Sequence, residues 1–305
     1  MVDAFRGQKV LSKDFQQSLT RIPHLRALKL DNLFPGEEDA GSLVSGLVLP
    51  GLETLELTGR AMICCAFLQS ISLPRCRIRV VLDESLHHYV SPRSVWTALE
   101  SQRWGADDPV ICGLRFAEPT SGAPSFEVSF FNHPSKPPRY SVRLRAELPT
   151  LIPSWRDESN IMDIMSLDQI TILTLKSKTL TLPASLLHLK HLRTMAFYHH
   201  IEPFIQQLVA DPIMAVKELG GAGLPARGHI HLNRFGPVAS VHYPGLREIS
   251  FRHIAFGGGD IGLILSWLAQ RKRLGFAINE VRLVGCNLTN ADLDRLKEVV
   301  SRTYN

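Results

Sequence analysis

The sequence predicts an α/β fold in which short parallel strands line one side of a repeating array and uneven helices cover the other. Three observations predict it. The run Ile278-Asn-Glu-Val281-Arg-Leu283-Val-Gly-Cys286-Asn-Leu288 has apolar residues at relative positions 1, 4, 6 and 11 and a cysteine at 9. These are the defining places of the leucine-rich-repeat consensus L-x-x-L-x-L-x-x-N/C-x-L. The first six positions recur along the chain, and in three copies a proline (Pro23, Pro50, Pro244) stands two residues before the first apolar position. The expected architecture is a leucine-rich-repeat solenoid, with short parallel strands on the concave face and irregular helices on the convex face.

The spacing has a physical cause. Strand side chains alternate, so Val281 and Leu283 share the inward face. Cys286 falls where the chain bends away and a small polar group can satisfy turn backbone, and Leu288 is expected to fill the core from the far side.

Residues 1–82 hold the N-terminal repeats. A helical lead-in, Asp14 to Leu19, precedes Leu25-x-x-Leu28-x-Leu30, and Leu52-x-x-Leu55-x-Leu57 follows 27 residues on (25 to 52). Between them Glu37-Glu38-Asp39 leads to Leu43, Val44 and Leu47, a short convex helix. Ala61 to Ile71 reads as a helix. Cys76-x-Ile78-x-Val80-x-Leu82 alternates as the strand of a degenerate third repeat and sets Arg75, Arg77 and Arg79 on one face.

Residues 83–160 break the rhythm. A helix is expected over Ser94 to Gln102, then three alternating segments, Val110 to Phe116, Phe126 to Phe131 and Tyr140 to Arg145, joined by Pro-, Gly- and Ser-rich connections. Inserted strands with long loops and heavily degenerate repeats both fit this text.

Residues 161–305 resume the repeats: Ile170-x-x-Leu173-x-Leu175, Leu192-x-x-Met195-x-Phe197, a weak Val216-x-x-Leu219, Leu246-x-x-Ile249-x-Phe251 and the final eleven-residue match. Leu186, Leu189 and Leu192 suit one side of a short helix, and Pro203 to Leu208 another. Gly220 to Gly236 reads as a loop. Asp260 is expected to cap a helix from Ile261 to Gln270. Thr289 is expected to cap a terminal helix whose Leu293, Leu296, Val299 and Val300 cover the last core layer.

Charge and chemistry narrow the function. A net charge of +5 and a pI near 9.0 are mildly basic, but Lys and Arg are scattered. Their densest cluster, Arg271-Lys272-Arg273, closes a predicted helix, where cations complement the helix dipole. Nucleic acid is therefore not the expected partner. Five cysteines without a CxxC pair do not form a disulfide framework. The N-terminus carries no signal-peptide core. The most apolar helical stretch, Ile261 to Ala269, falls short of the ~20 residues that span a bilayer. The expected setting is cytoplasmic and/or nuclear, without a membrane partner.

His229-x-His231 lacks a third ligand at a recognisable spacing, and His87-His88 and His199-His200 read as surface pairs. Gly220 to Gly223 and Gly257 to Gly259 lack the neighbours of a phosphate cradle. No G-x-S-x-G elbow occurs, and Asp107-Asp108 and Glu37-Glu38 read as solvated loop carboxylates. No enzyme, cofactor or metal site is expected. What remains is the outward face of the strands. Its fifth hexad positions are Lys29, Glu56, Arg79, Thr174, Ala196, Gly220, Ser250 and Arg282, flanked by Asp31, Thr58, Ile172, Tyr198, Glu248, Arg252 and Glu280. Lys29, Glu56, Arg79, Thr174, Tyr198, Ser250, Arg252 and Arg282 are the expected partner-binding residues, since solenoids hold partners on this face and Tyr and Arg are enriched at hot spots. The expected role is a non-enzymatic protein-interaction scaffold, with a basic solenoid for nucleic acid as the alternative.

Tyr243-Pro-Gly-Leu-Arg-Glu-Ile-Ser-Phe251, the apolar helix ending Arg271-Lys-Arg273, Val281-Arg-Leu-Val-Gly-Cys286 and Asp292-Leu-Asp-Arg-Leu-Lys-Glu-Val-Val300 resemble the C-terminal end of fungal (mushroom-type) F-box/leucine-rich-repeat proteins. Pro23 to Leu57 resembles the early repeats of that family. The resemblance implies a target-recognition part of a ubiquitin-ligase receptor, whose F-box docks the Skp adaptor while the repeats recruit a protein target. Met1 to Thr20 contains no L-P-x-E-I/L start, and 21 residues precede Ile22. The chain as given is thus expected to lack the F-box and to bind the adaptor only if an F-box lies upstream. A stand-alone repeat protein unrelated to ubiquitination is the other expectation.

Overall fold

The computed structural model describes residues 12–32, 46–73, 76–84, 92–102, 112–117, 125–132, 138–146, 169–176, 186, 189–201, 204–205, 208, 242–257 and 259–304. The chain divides into two compact units, Met1–Leu167 and Asp168–Asn305. Each is mixed α/β with a mostly parallel sheet.

In the first unit the order is α1 (Ser12–Thr20), β1 (Ala27–Asp31), β2 (Leu47–Val48), β3 (Thr54–Gly59), α2 (Ala61–Ser70), β4 (Ile71–Ser72), β5 (Arg77–Glu84), α3 (Pro92–Glu100), β6 (Gly113–Ala117), β7 (Ser125–Phe131) and β8 (Tyr140–Ala146). The sheet runs β1-β3-β5-β8-β7-β6, with β2 and β4 a separate parallel pair. Register lays hexad on hexad. Leu28 and Leu30 face Leu55 and Leu57, which face Ile78 and Val80. Leu30, Leu55, Leu57, Ile78 and Val80 are buried, each contributing roughly 1.5–3 kcal/mol on full burial. Leu28, expected inside, is only half-buried. Residues 83–160 supply an antiparallel addition: β7 pairs antiparallel with both β6 and β8, while β8 runs parallel to β5. Against β3 and β5, α2 is buried on most sides and its Phe67 meets Phe15 at 6.2 Å, while Trp96 of α3 packs edge-to-face with Phe130 at 5.3 Å.

The second unit contains β9 (Ile172–Lys176), β10 (Thr194–Tyr198), β11 (Glu248–Arg252), α4 (Asp260–Arg273), β12 (Glu280–Val284), α5 (Asn290–Val299) and β13 (Arg302–Tyr304). These five strands lie side by side in chain order, all parallel. Leu173, Met195, Ile249 and Val281 form one buried row, and Leu175, Phe197, Phe251 and Leu283 the next. Phe197 stacks on Phe251 at 5.7 Å, and Phe204 bridges from Phe197 (4.4 Å) to Trp267 (5.6 Å).

The chain enters these strands by one recurring turn. The amides of Leu25, Leu52, Cys76, Leu192 and Leu246 donate to the carbonyls three residues back, those of Ile22, Leu49, Leu73, Leu189 and Tyr243. Pro23, Pro50 and Pro244 take the second turn position, whose φ proline presets. Glycine follows proline where the turn presses on the preceding strand's entry. A Cβ on Gly245 would stand 2.5 Å from the Lys190 oxygen, and one on Gly51 3.0 Å from that of Pro23.

Several expectations change. Asp260 is not the cap: Gly259 holds that position without a side-chain bond, and Asp260 instead accepts the Gly257 amide at 2.7 Å. α4 runs on to Arg273. Thr289 does cap, in a reciprocal capping box with Asp292. The terminal helix buries Leu296, leaves Leu293 and Val299 half-buried, and is followed by β13, which the apolar pattern did not disclose. Cys286 bonds to the Phe251 and Val284 oxygens (3.4 and 3.7 Å), while Leu288 is half-buried. Arg271 is fully buried and is no surface cation. The helix expected to run from Glu37 to Leu47 lies outside the described residues over 37–45, and Leu47 begins β2 instead. Half of Pro203–Leu208, the Val216-x-x-Leu219 unit and the loop Gly220 to Gly236 also lie outside them, as do Arg75, His87-His88, Asp107-Asp108 and His229-x-His231.

Candidate functional site

Outward side chains of a parallel sheet stand in rows across the strands, because equivalent residues pair in register. In the first unit the fifth hexad positions make such a row: Lys29 beside Glu56, Glu56 beside Arg79, and Arg79 beside Ser141. Glu56 serves both neighbours, at 3.2 Å from Lys29 Nζ and 3.7 Å from Arg79 Nη1. All three are partly exposed, so each pair contributes at most about 1 kcal/mol. A groove of about 470 Å³ opens on this row, lined also by Leu28, Thr54, Arg77, Glu127 and Pro138.

Glu127 organises the far side of that groove. Its Oε1 accepts the hydroxyls of Ser129 and Ser141, each at 3.0 Å, and Arg143 Nε lies 3.2 Å from Oε2 without donor geometry. The carboxylate thus holds two hydroxyls in fixed orientation at the antiparallel junction. Beyond it Phe131 folds over Gly113, where a Cβ would come within 2.0 Å of the ring, and the Arg115 guanidinium sits 5.4 Å from the same ring.

In the second unit Thr174, Ala196, Ser250, Arg282 and Tyr304 form one row. Toward the strand starts Thr194, Glu248 and Glu280 form another, and Thr194 donates to Glu248 at 3.4 Å. Arg282 Nε donates to Glu280, and that hydrogen bond pushes the Arg282 pKa above its ordinary value. Toward the strand ends Tyr198 pairs with Arg252, and Arg252 with Val284. Lys176 Nζ lies 4.3 Å from the centre of the Tyr198 ring, and the Arg252 guanidinium 5.3 Å from it, one cation from each flanking strand. Arg252 Nε also donates to Ser250 Oγ at 3.3 Å.

Past the strand ends the chain turns through left-handed residues: His199 (φ 64°), His253 (φ 54°) and Gly285 (φ 62°). The His199 amide donates to the Arg252 oxygen (2.9 Å) and that of His253 to the Val284 oxygen (2.7 Å), which continues the ladder for one more residue. The two imidazoles stack at 5.6 Å.

The expected residues therefore fall into separate groups. Lys29, Glu56 and Arg79 interact in one unit. In the other, Thr174, Ser250 and Arg282 share a row, and Tyr198 and Arg252 meet in the next. Gly220 lies outside the described residues. Lys176 and Glu127 were missed. Lys176 occupies the hexad offset of Asp31, Thr58, Tyr198 and Arg252, so the pattern could have found it, whereas Glu127 sits on an antiparallel strand that carries no hexad. Comparison with protein-family models, curated proteins and solved structures finds no match for this chain.

Proposed function

We propose that this chain is a non-enzymatic protein-interaction scaffold built as a leucine-rich-repeat solenoid, whose outward strand rows hold a protein target. The observation that carries the reading is the in-register row that ends in exposed Arg282 and Tyr304, beside half-buried Tyr198 and Arg252, on consecutive parallel strands; Thr174 and Ser250, earlier in that row, are themselves buried. A row of this kind gives a partner several fixed contacts at strand spacing, about 4.8 Å apart, with no ordering cost in the scaffold. The sequence resemblance extends this to the target-recognition part of an F-box-type ubiquitin-ligase receptor, acting in the cytoplasm or nucleus. No helix among the described residues is long and apolar enough to cross a membrane.

Nucleic-acid binding has less support than the pI suggests, because Arg271 of the densest basic cluster is internal. A salt titration separates the two readings. The chain is used to capture partners from cell extract, beside an Arg282→Ala/Tyr304→Ala variant that changes exposed residues of the row. The scaffold reading expects nuclease-resistant protein capture that the variant loses and that changes little with moderate salt. Capture that nuclease abolishes, or that falls steeply with salt as counterion release requires, contradicts it.

A further inference from the structure

Resting on that reading, we propose that Lys176, Tyr198 and Arg252 form the docking point for an acidic segment of the protein partner, taking Asp or Glu carboxylates at the strand-end rim. Two cations converge on one half-buried tyrosine from opposite flanking strands, at 4.3 and 5.3 Å from its ring centre. Strands β9 and β11 are two spacings apart, roughly 10 Å, so the ring fills the gap between cations that would otherwise stand separately. A carboxylate at the ring's edge meets positive charge on both sides and a phenol hydroxyl that can donate. Arg252 is held by the Nε bond to Ser250. Among the described residues its two terminal nitrogens take no hydrogen bond, so a bidentate donor remains for a ligand.

Charge along the strands gives direction. Glu248 and Glu280 stand side by side at the strand starts, four residues or roughly 13 Å from the Arg252 row. An acidic segment is repelled there and drawn to the rim. The same rim argues for a protein segment rather than a free anion. Val284, paired with Arg252, and Tyr304, paired with Arg282, are 45% and 49% exposed and extend apolar surface beside the cations. A nucleobase would need an open ring face to stack, and both cations already lie over the Tyr198 ring.

The test uses the full chain and a fluorescein-labelled deca-glutamate peptide, with deca-lysine and deca-thymidylate as controls, read by anisotropy at physiological salt. Deca-glutamate binding is expected, weakened at least about tenfold by Lys176→Ala/Arg252→Ala and by Tyr198→Ala. Arg295→Ala/Lys297→Ala, exposed on α5, should change it less than about twofold. Circular dichroism confirms that each variant is folded. No deca-glutamate binding, equal binding by the Lys176→Ala/Arg252→Ala variant, or tighter binding of deca-thymidylate overturns the proposal. If the acidic peptide fails while capture from extract still depends on Arg282 and Tyr304, the acidic dock alone is wrong. Loss of both removes the scaffold reading as well.

Discussion

Arg271 Nη2 donates to the backbone oxygen of Tyr243 at 2.9 Å, in a place solvent does not reach. Nη1 donates to His242 (2.8 Å) and Nε to Phe276 (3.1 Å), while the guanidinium lies 4.8 Å from the Trp267 ring centre. One side chain thus ties the turn entering β11 to the segment that follows α4. Tyr243 adopts a left-handed φ of 52°, a conformation that bulky residues keep only when their surroundings hold it. Lysine cannot reproduce the planar fork. Arg271→Lys should cost about 3 kcal/mol, because buried carbonyls lose their donors. Urea unfolding followed by fluorescence should show the transition at lower denaturant, and an unchanged midpoint would refute the clamp.

Leu283 and Val284 are chain neighbours on opposite faces of β12, the first buried and the second exposed. Leu283→Ala should cost about 2–5 kcal/mol as a core truncation. Val284→Ala should stay within about 0.5 kcal/mol. Equal losses in the two variants would mean that the register is wrong by one residue.

The capping box sets a pH dependence. Hydrogen bonds from the Thr289 hydroxyl and amide hold the Asp292 carboxyl below its ordinary pKa of 3.8. A carboxyl whose folded pKa is depressed contributes stability that is present above its unfolded pKa and lost as pH falls through the folded value. Thr289→Ala should therefore destabilise by about 1 kcal/mol at neutral pH. The gap between wild type and Asp292→Asn should be present at pH 7 and close as the pH drops below 3.8. Thermal melts across that range decide it, and a gap that widens on acidification contradicts the assignment.

Burial pushes the Cys76 thiol up to about 12, against the smaller opposing effect of the Arg139 and Arg77 charges. The thiolate is the reactive form, so Cys76 should resist iodoacetamide in the native chain at pH 8 and react on unfolding. Cys112 and Cys286, both partly exposed, should be modified first. Mass spectrometry of the labelled chain reads the order.

The strands were legible because their cause is local. The alternation of Leu55 and Leu57, or of Val281 and Leu283, states which face is inward without reference to the rest of the chain. The third repeat blurred because its turn at Leu73–Cys76 reaches Ile78 one residue sooner than Leu52 reaches Leu55. β6 to β8 carry alternation but no hexad, so their antiparallel pairing depended on contacts distant in sequence. β13 is too short and polar for periodicity to register. The entry turn leaves a readable mark in three copies, an apolar residue three before the first leucine with proline between. The burial of Arg271 is not legible locally, because helix-end charge is normally a surface feature and the carbonyls of His242 and Tyr243 that it serves lie 29 and 28 residues away. At the site, outward positions followed from alternation, but the convergence of Lys176 and Arg252 on Tyr198 depends on register between strands.

The central claim, that a protein partner rests on the outward face of the strands, is tested most directly by site-specific photocrosslinking. A photoreactive phenylalanine analogue replaces exposed Arg282 on that face, or Asp294 on the exposed side of α5 as the control. Partner adducts should form from position 282, resist nuclease, and be absent or several-fold weaker from position 294. Equal adduct yields from the two positions, or adducts that nuclease removes, would contradict the account.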